Sequence, residues 1–150
     1  MDINKVTTAM IDYYQGQPKR IQHFLKVHAY AKLIGKQEGL DKEILDILEV
    51  AALTHDIGIK ISEEKYNSSA GKYQEVEGPA VAQQMLEDLQ YDKAKTDRVC
   101  YLIGHHHTYD QIDGIDYQIL VEADFLVNLA EEQSSRETIE SVKGKIFKTK

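Results

Sequence analysis

Apolar residues recur at the three- and four-residue intervals of an α-helix along nearly the whole chain, and no segment shows a convincing strand pattern. Capping residues mark several helix boundaries. Pro18 suits the first turn of the second helix, Gly39 its left-handed end, and Asp41 the N-cap of the third. The predicted helices cover about 2–14, 18–38, 42–56, 79–89, 93–106 and 116–130, followed by a C-terminal helix that starts near Ser134 or Ser135.

The helical period is lost between Ile57 and Gly78, in the stretch IGIKISEEKYNSSAGKYQEVEG. A polar loop of this length is uncommon inside a compact domain and is typical of a functional lid or a disordered segment. Pro79 is then expected to begin the next helix. Six or seven helices without a strand define an all-α protein, so the sequence predicts one helical-bundle domain over residues 1–150.

Charge and cysteine content narrow the choice of partners. The formal net charge is −7, whereas nucleic acids and anionic membranes attract clustered Lys and Arg, so neither is expected as the main partner. Cys100 is the only cysteine, which excludes an internal disulfide and a CxxC metal site. The first residues lack the features of a signal peptide and no apolar run is long enough to span a membrane, so a cytoplasmic protein is expected.

Some ionisable residues fall on helix faces that are otherwise apolar. Asp124 lies in phase with Leu120 and Val127, and a carboxylate there loses its water unless a cation or several donors compensate for it. His23 and His28 both lie on apolar stripes of the second predicted helix, and helical spacing alone does not choose between them. An arginine partner for the aspartate, or a hydrogen-bonded core histidine, would explain each residue without any site.

The third predicted helix ends in His55 and Asp56, which follow the small and apolar run AALT. Adjacent residues project about 100° apart on a helix, but near its end both side chains can turn toward one point. An imidazole and a carboxylate suit a divalent ion such as Fe, Mn, Co or Zn. A solvated helix end, with the histidine favourable to the helix dipole, would also explain the pair.

Taken together, these residues resemble the ordered H…HD…D pattern of the HD-domain superfamily of metal-dependent phosphohydrolases. The pattern covers about residues 18–130 and includes HxxxVxxxA from His23, HDIG from His55, and a late aspartate, Asp124. The resemblance implies the all-α HD-domain fold, similar to that of phosphodiesterases, for a bacterial-type single-domain member. It also selects His23 rather than His28 as a ligand.

The same resemblance implies the chemistry of the site. One divalent ion, with Fe, Mn, Co, Zn, Ni and Mg not distinguished, is expected to be held by His23, His55, Asp56 and Asp124. Such an ion lowers the pKa of a bound water, and Asp56, as the catalytic residue, is expected to orient that water for attack on a phosphoester. The implied enzyme is a phosphomonoesterase or phosphodiesterase that acts on a small phosphorylated substrate, with a nucleotide as the first choice.

Three consecutive histidines, within GHHHTYDQIDG, stand at the end of a predicted helix, and His106 continues its apolar face and is expected to point inward. Binuclear relatives, among them the HD-GYP phosphodiesterases, carry a histidine pair here for a second metal and another histidine before a proline-started helix. Gly78 stands at the latter position, and no GYP triplet follows the cluster. A full second metal site and a cyclic-dinucleotide substrate are therefore not expected. His105 and His106 are expected to contact substrate phosphate or a weakly held second ion.

Three cations, Arg20, Lys60 and Lys72, are candidates for binding the substrate phosphate, and Arg20 shares the helix face of His23. Two other functions fit the same residues. A di-iron oxygenase of the HD type would use the histidine cluster, with Gly78 counting against it. A non-catalytic helical module would bind a metal or nucleotide without turnover. The sequence leaves the oligomeric state open, a homo-oligomer included.

Overall fold

The structure is a computed structural model that describes residues 3–149, and within that range every regular element is an α-helix. The eight helices are α1 (Ile3–Tyr13), α2 (Pro18–Gln37), α3 (Lys42–Thr54), α4 (Ile59–Tyr66), α5 (Gly71–Asp88), α6 (Lys93–Ile103), α7 (Ile115–Glu131) and α8 (Arg136–Ile146). The all-α class is confirmed, with eight helices in the described range where six or seven were expected. The predicted start of α1 at Asp2 lies outside the described residues.

Helix α3 forms the centre of the bundle. It is apolar around most of its girth, and its second half, from Leu48 to Thr54, is almost entirely buried. Helices α1, α2, α6 and α7 all pack against it. Its predicted N-cap is confirmed, because the Asp41 carboxylate accepts a hydrogen bond from the Ile44 N–H at 2.9 Å. Gly39, just before it, has the left-handed φ of +73° predicted for the end of α2.

The prediction of a long loop between Ile57 and Gly78 is wrong. The stretch folds into α4 and the first half of α5, joined by the short turn at 67–70. Pro79 does not begin a helix but lies inside α5, which starts eight residues earlier at Gly71. Tertiary contacts override the polar sequence here, because α4 packs on α5 and α5 packs on α6.

Two glycines allow α5 to approach the turn after α3 closely. A Cβ on Gly58 would lie 2.8 Å from the Gly78 nitrogen and from the Gln74 carbonyl oxygen, so the two backbones are nearly in contact. A Cβ on Gly78 would lie 2.7 Å from the Ile103 side chain. At Gly78, helix α5 thus contacts the turn that carries the HDIG motif on one side and α6 on the other. No helix within residues 3–149 combines the length and hydrophobicity needed to cross a membrane.

Candidate metal centre

Helices α2, α3 and α7 pack together and bring into one place the ionisable residues that the sequence put next to apolar ones. His23 lies in the second turn of α2, Asp124 in the middle of α7, and both helices pack on α3 and on each other. His55 and Asp56 lie in the turn just after α3, whose central position carries them into the bundle. His55 is fully buried and Asp124 is buried, so the cluster is largely shielded from water.

The ligand atoms of His23, His55 and Asp56 converge on one point, within 4.8 Å of one another, and Asp124 contacts both histidines there. Nε2 of His23 lies 3.1 Å from both Asp56 Oδ2 and Asp124 Oδ1, and Nε2 of His55 lies 3.3 Å from the same two oxygens. The two Nε2 atoms are 3.3 Å apart. Ligand atoms at about 2.1 Å from a common ion are separated by roughly 3.0 Å in octahedral and 3.4 Å in tetrahedral geometry. The donor set and its spacing therefore fit one divalent ion.

The histidine rings are held so that Nε2 faces this point. Nδ1 of His55 donates to the Ala52 carbonyl at 2.7 Å, which leaves Nε2 as the atom that can bind an ion. His106 repeats the arrangement at the end of α6, where its Nδ1 donates to the Ile103 carbonyl at 2.7 Å. In both turns the histidine uses a carbonyl of the last helical turn that lacks an intrahelical partner.

Asp124 is not neutralised by an arginine, which was the alternative to a metal site. Arg98, on α6, pairs instead with Asp116 in the first turn of α7 and with Asp113 before that helix. The partners of Asp124 are His23 and His55. Burial alone would raise the pKa of Asp124, but the charge of His55 and the hydrogen bond from His23 hold that pKa well below its usual range.

The pKa values of the two histidines are shifted in the opposite direction, upward. Burial opposes protonation of His23, but its hydrogen bonds with Asp124 and Asp56 outweigh burial and raise the pKa of the imidazole to about 10. Burial likewise opposes protonation of His55, yet the charges of Asp56 and Asp124 raise its pKa well above the usual value. For Asp56, the charge of His55 overcomes burial and lowers the pKa. Without a metal, the site is thus a compact group of two imidazolium and two carboxylate charges.

A second group of potential ligands adjoins the first, composed of Asp56, His106 and His107. His106 is 1% exposed, so it points inward as predicted from its helix face. Its Nε2 lies 3.6 Å from Asp56 Oδ1 and has no hydrogen-bond partner. Nε2 of His107 lies 3.1 Å from Oε1 of Gln74, and the amide nitrogen of Gln74 donates to the Ser69 carbonyl. Burial and the neighbouring His106 lower the pKa of His107 to about 4, so this ring is neutral at pH 7.

His105 does not take the position expected for it. Its Nδ1 bonds to the Tyr101 carbonyl at 2.8 Å, and its ring stacks on that of Tyr101 with centroids 4.1 Å apart. His107, rather than His105, shares the second group with His106, because the chain has left the helix after Ile103 and turns. Gly78 leaves no room for the further histidine of binuclear relatives, since even a Cβ there would contact Ile103 at 2.7 Å.

A cavity of about 780 Å³ opens above the metal-site residues. Its floor includes His23, Asp56 and Asp124, and its wall includes Arg20, whose guanidinium bonds to Gln17 and pairs with Glu63 at 2.8 Å. The other two candidate cations are directed elsewhere: the ammonium of Lys60 lies over the ring of Tyr13 and that of Lys72 over the ring of Tyr73. Neither of these lysines lines the cavity, whereas Lys19 does.

Sequence reasoning missed several residues that shape the site. Tyr14, fully buried, donates its hydroxyl to the main-chain carbonyl of Asp56 at 2.6 Å. Glu131 contacts the outer nitrogen of His23, with Oε1 2.9 Å from Nδ1. Gln74 and His107 complete the wall of the cavity. Two of them left a signal: His107 belongs to the run of three histidines, and Glu131 follows Asp124 by seven residues, or two helical turns, on the same helix.

The chain matches the sequence model of a protein family. The sequence model described as HD domain matches residues 20–142. No curated protein and no solved structure was found to be similar to the chain. The matched range includes all of the clustered histidines and aspartates, and membership suggests metal-dependent hydrolase activity. Because the match covers most of the chain and the His/Asp cluster is consistent with the metal site of this family, the chain belongs to the HD-domain family.

Proposed function

We propose that the protein is a metal-dependent phosphohydrolase that cleaves a small phosphoester, with a nucleotide as the substrate class. The observation that carries the proposal is the spacing of four ligand atoms, from His23, His55, Asp56 and Asp124, three of whose residues line an open cavity while His55 is buried beside them. Two imidazoles and two carboxylates leave a bound divalent ion near neutrality, which favours the approach of a phosphate anion.

When bound, a divalent ion would acidify a coordinated water and polarise the phosphoester. Asp56 is the residue best placed to orient that water, because its Oδ2 faces the metal ligands while its Oδ1 points toward His106, 3.6 Å away. Arg20 lines the cavity and is the candidate for binding phosphate oxygens, provided that its guanidinium exchanges Glu63 for substrate. The cavity of about 780 Å³ is large enough for a mononucleotide.

The test uses metal-free protein reconstituted separately with Mn²⁺, Fe²⁺, Co²⁺, Ni²⁺, Zn²⁺ and Mg²⁺. Each form is assayed against nucleoside mono-, di- and triphosphates and against simple phosphomonoesters and phosphodiesters. We expect turnover with at least one ion, its loss on adding a chelator, and near-complete loss in His23→Ala. His28→Ala is the matched control, because His28 lies on the same helix but pairs with Glu49 outside the site. A metal-loaded protein that cleaves none of these esters would refute the proposal.

One observation keeps a second candidate, a di-iron oxygenase, in consideration. Asp56, His106 and His107 form a second group of potential ligands beside the first. The oxygenase is the weaker candidate, because Gln74 bonds to Nε2 of His107 and Gly78 supplies no ligand for a second iron. Elemental analysis separates the candidates: two irons per chain with oxygen-dependent turnover favour the oxygenase, and one ion with phosphate release favours the hydrolase. Saturable nucleotide binding without turnover indicates a binding module.

A further inference from the structure

Three buried or partly buried histidines around the centre each have their outer nitrogen, Nδ1, hydrogen bonded. For His55 and His106 the acceptor is a backbone carbonyl three residues earlier, from Ala52 and Ile103. Those carbonyls are available because α3 and α6 end there. These two rings are therefore fixed by local backbone geometry.

His23 cannot be fixed in this way. It lies in the interior of α2, where the carbonyls of the preceding turn accept hydrogen bonds from helical N–H groups. Its outer nitrogen needs an acceptor from another element, and α7 supplies one: Oε1 of Glu131 lies 2.9 Å from Nδ1 of His23. Asp124, two turns earlier on α7, contacts Nε2 of the same ring at 3.1 Å.

We infer that Glu131 is a positioning residue for the metal centre, which holds His23 with its proton on Nδ1 and its Nε2 lone pair directed at the ion. This inference rests on the metal site of the proposed function. A carboxylate behind a ligating imidazole fixes the tautomer and ring orientation and makes the nitrogen a stronger donor to the metal. Helix α7 therefore acts on His23 from both sides, through Asp124 at one nitrogen and Glu131 at the other.

The exposure of Glu131 sets the size of the effect. Its side chain is 33% exposed, and its second oxygen lies 4.0 Å from the ammonium of Lys26. Loss of an outer carboxylate of this kind weakens metal affinity by about 10–100-fold. Because Glu131 is partly exposed, we expect its effect at the lower end of this range, about tenfold. Glu132 is the matched control, because it follows directly, carries the same charge and lines the same cavity without bonding to His23.

The experiment measures the dissociation constants of Zn²⁺ and of Mn²⁺, each alone, by competition with a chromophoric chelator. We expect Glu131→Ala to weaken binding about tenfold. Glu131→Gln keeps an acceptor oxygen of the same reach and should recover most of that loss, and Glu132→Ala should stay close to wild type. Circular dichroism of the metal-free variants checks the fold, and the isosteric Gln variant serves if the Ala variant is unfolded.

Equal affinities in Glu131→Ala and wild type would overturn the inference. So would equal losses in all three variants, because these would report the removed negative charge rather than the hydrogen bond to His23. The inference and the proposed function fail separately. A wild-type protein that binds ions but cleaves no phosphoester refutes the function alone, and a hydrolase whose metal affinity ignores Glu131 refutes the inference alone.

Discussion

Metal binding to this site should release protons, and the structure sets how many. In the metal-free protein, contacts with Asp124 and Asp56 raise the pKa of His23 to about 10 against the pull of burial. The pKa of His55 is raised as well. Both imidazoles are therefore protonated at pH 7, whereas a metal ligand must be neutral. We expect one to two protons to leave for each ion bound.

The sign and size of the pH dependence follow from the raised pKa. Protons compete with the ion, so affinity should rise with pH, by about one order of magnitude per unit for each displaced proton. For His23 alone, displacement at pH 7 costs about 4 kcal/mol, since about three units separate that pH from its pKa. Without metal, the same proton stabilises the fold fully below pH 6.5, and this stabilisation is lost as the pH rises toward 10.

Isothermal titration calorimetry at pH 7, in buffers of different ionisation enthalpy, measures the released protons. The slope of the observed binding enthalpy against the buffer enthalpy gives their number. His23→Gln should reduce that number by about one, because it removes the imidazole whose proton is displaced. His28→Gln, outside the site, should not change it. Tight metal binding with no proton released would refute the assignment of charged imidazoles to the metal-free centre.

Three further predictions address separate parts of the site. Asp124→Asn keeps the size of the side chain but removes its charge, and should weaken metal binding by at least about tenfold in chelator competition, since even outer-sphere changes cost that much; an unchanged affinity would exclude this residue as a ligand. Gln74→Ala frees Nε2 of His107 and should raise the metal content measured by elemental analysis from one toward two ions per chain; wild-type content in the variant would show that Gln74 does not limit the site. Gly78→Ala forces a methyl group against Ile103 and should lower the free energy of unfolding in urea by about 1–3 kcal/mol, whereas Gly144→Ala, with nothing within 4 Å, should not be destabilising.

The fold was predictable where local signals agree with tertiary packing. The caps at Gly39 and Asp41 and the apolar girth of α3 fixed the position of the central helix. The error at 57–78 has a different origin. Helices α4 and α5 bury few large apolar side chains, and their packing depends on contacts between Gly58 and Gly78 that carry no hydrophobic signal. A proline inside α5 added a misleading start signal.

Within the site, predictability depends on where a histidine obtains its hydrogen bond. His55 and His106 lie just after helix ends, where unpaired carbonyls orient the ring, so the local sequence contains everything that fixes them. His23 differs, because a mid-helix imidazole can be oriented only by another element. Helical spacing therefore could not choose between His23 and His28, and it was the resemblance to the HD-domain pattern that selected His23. The packing of α2 on α7 supplies the physical reason: His23 meets Asp124 and Glu131, whereas His28 meets Glu49. On physical grounds alone, a ligand at a helix end can be recognised from its neighbours in sequence, whereas a ligand inside a helix requires either a known family pattern or knowledge of the helix packed against it.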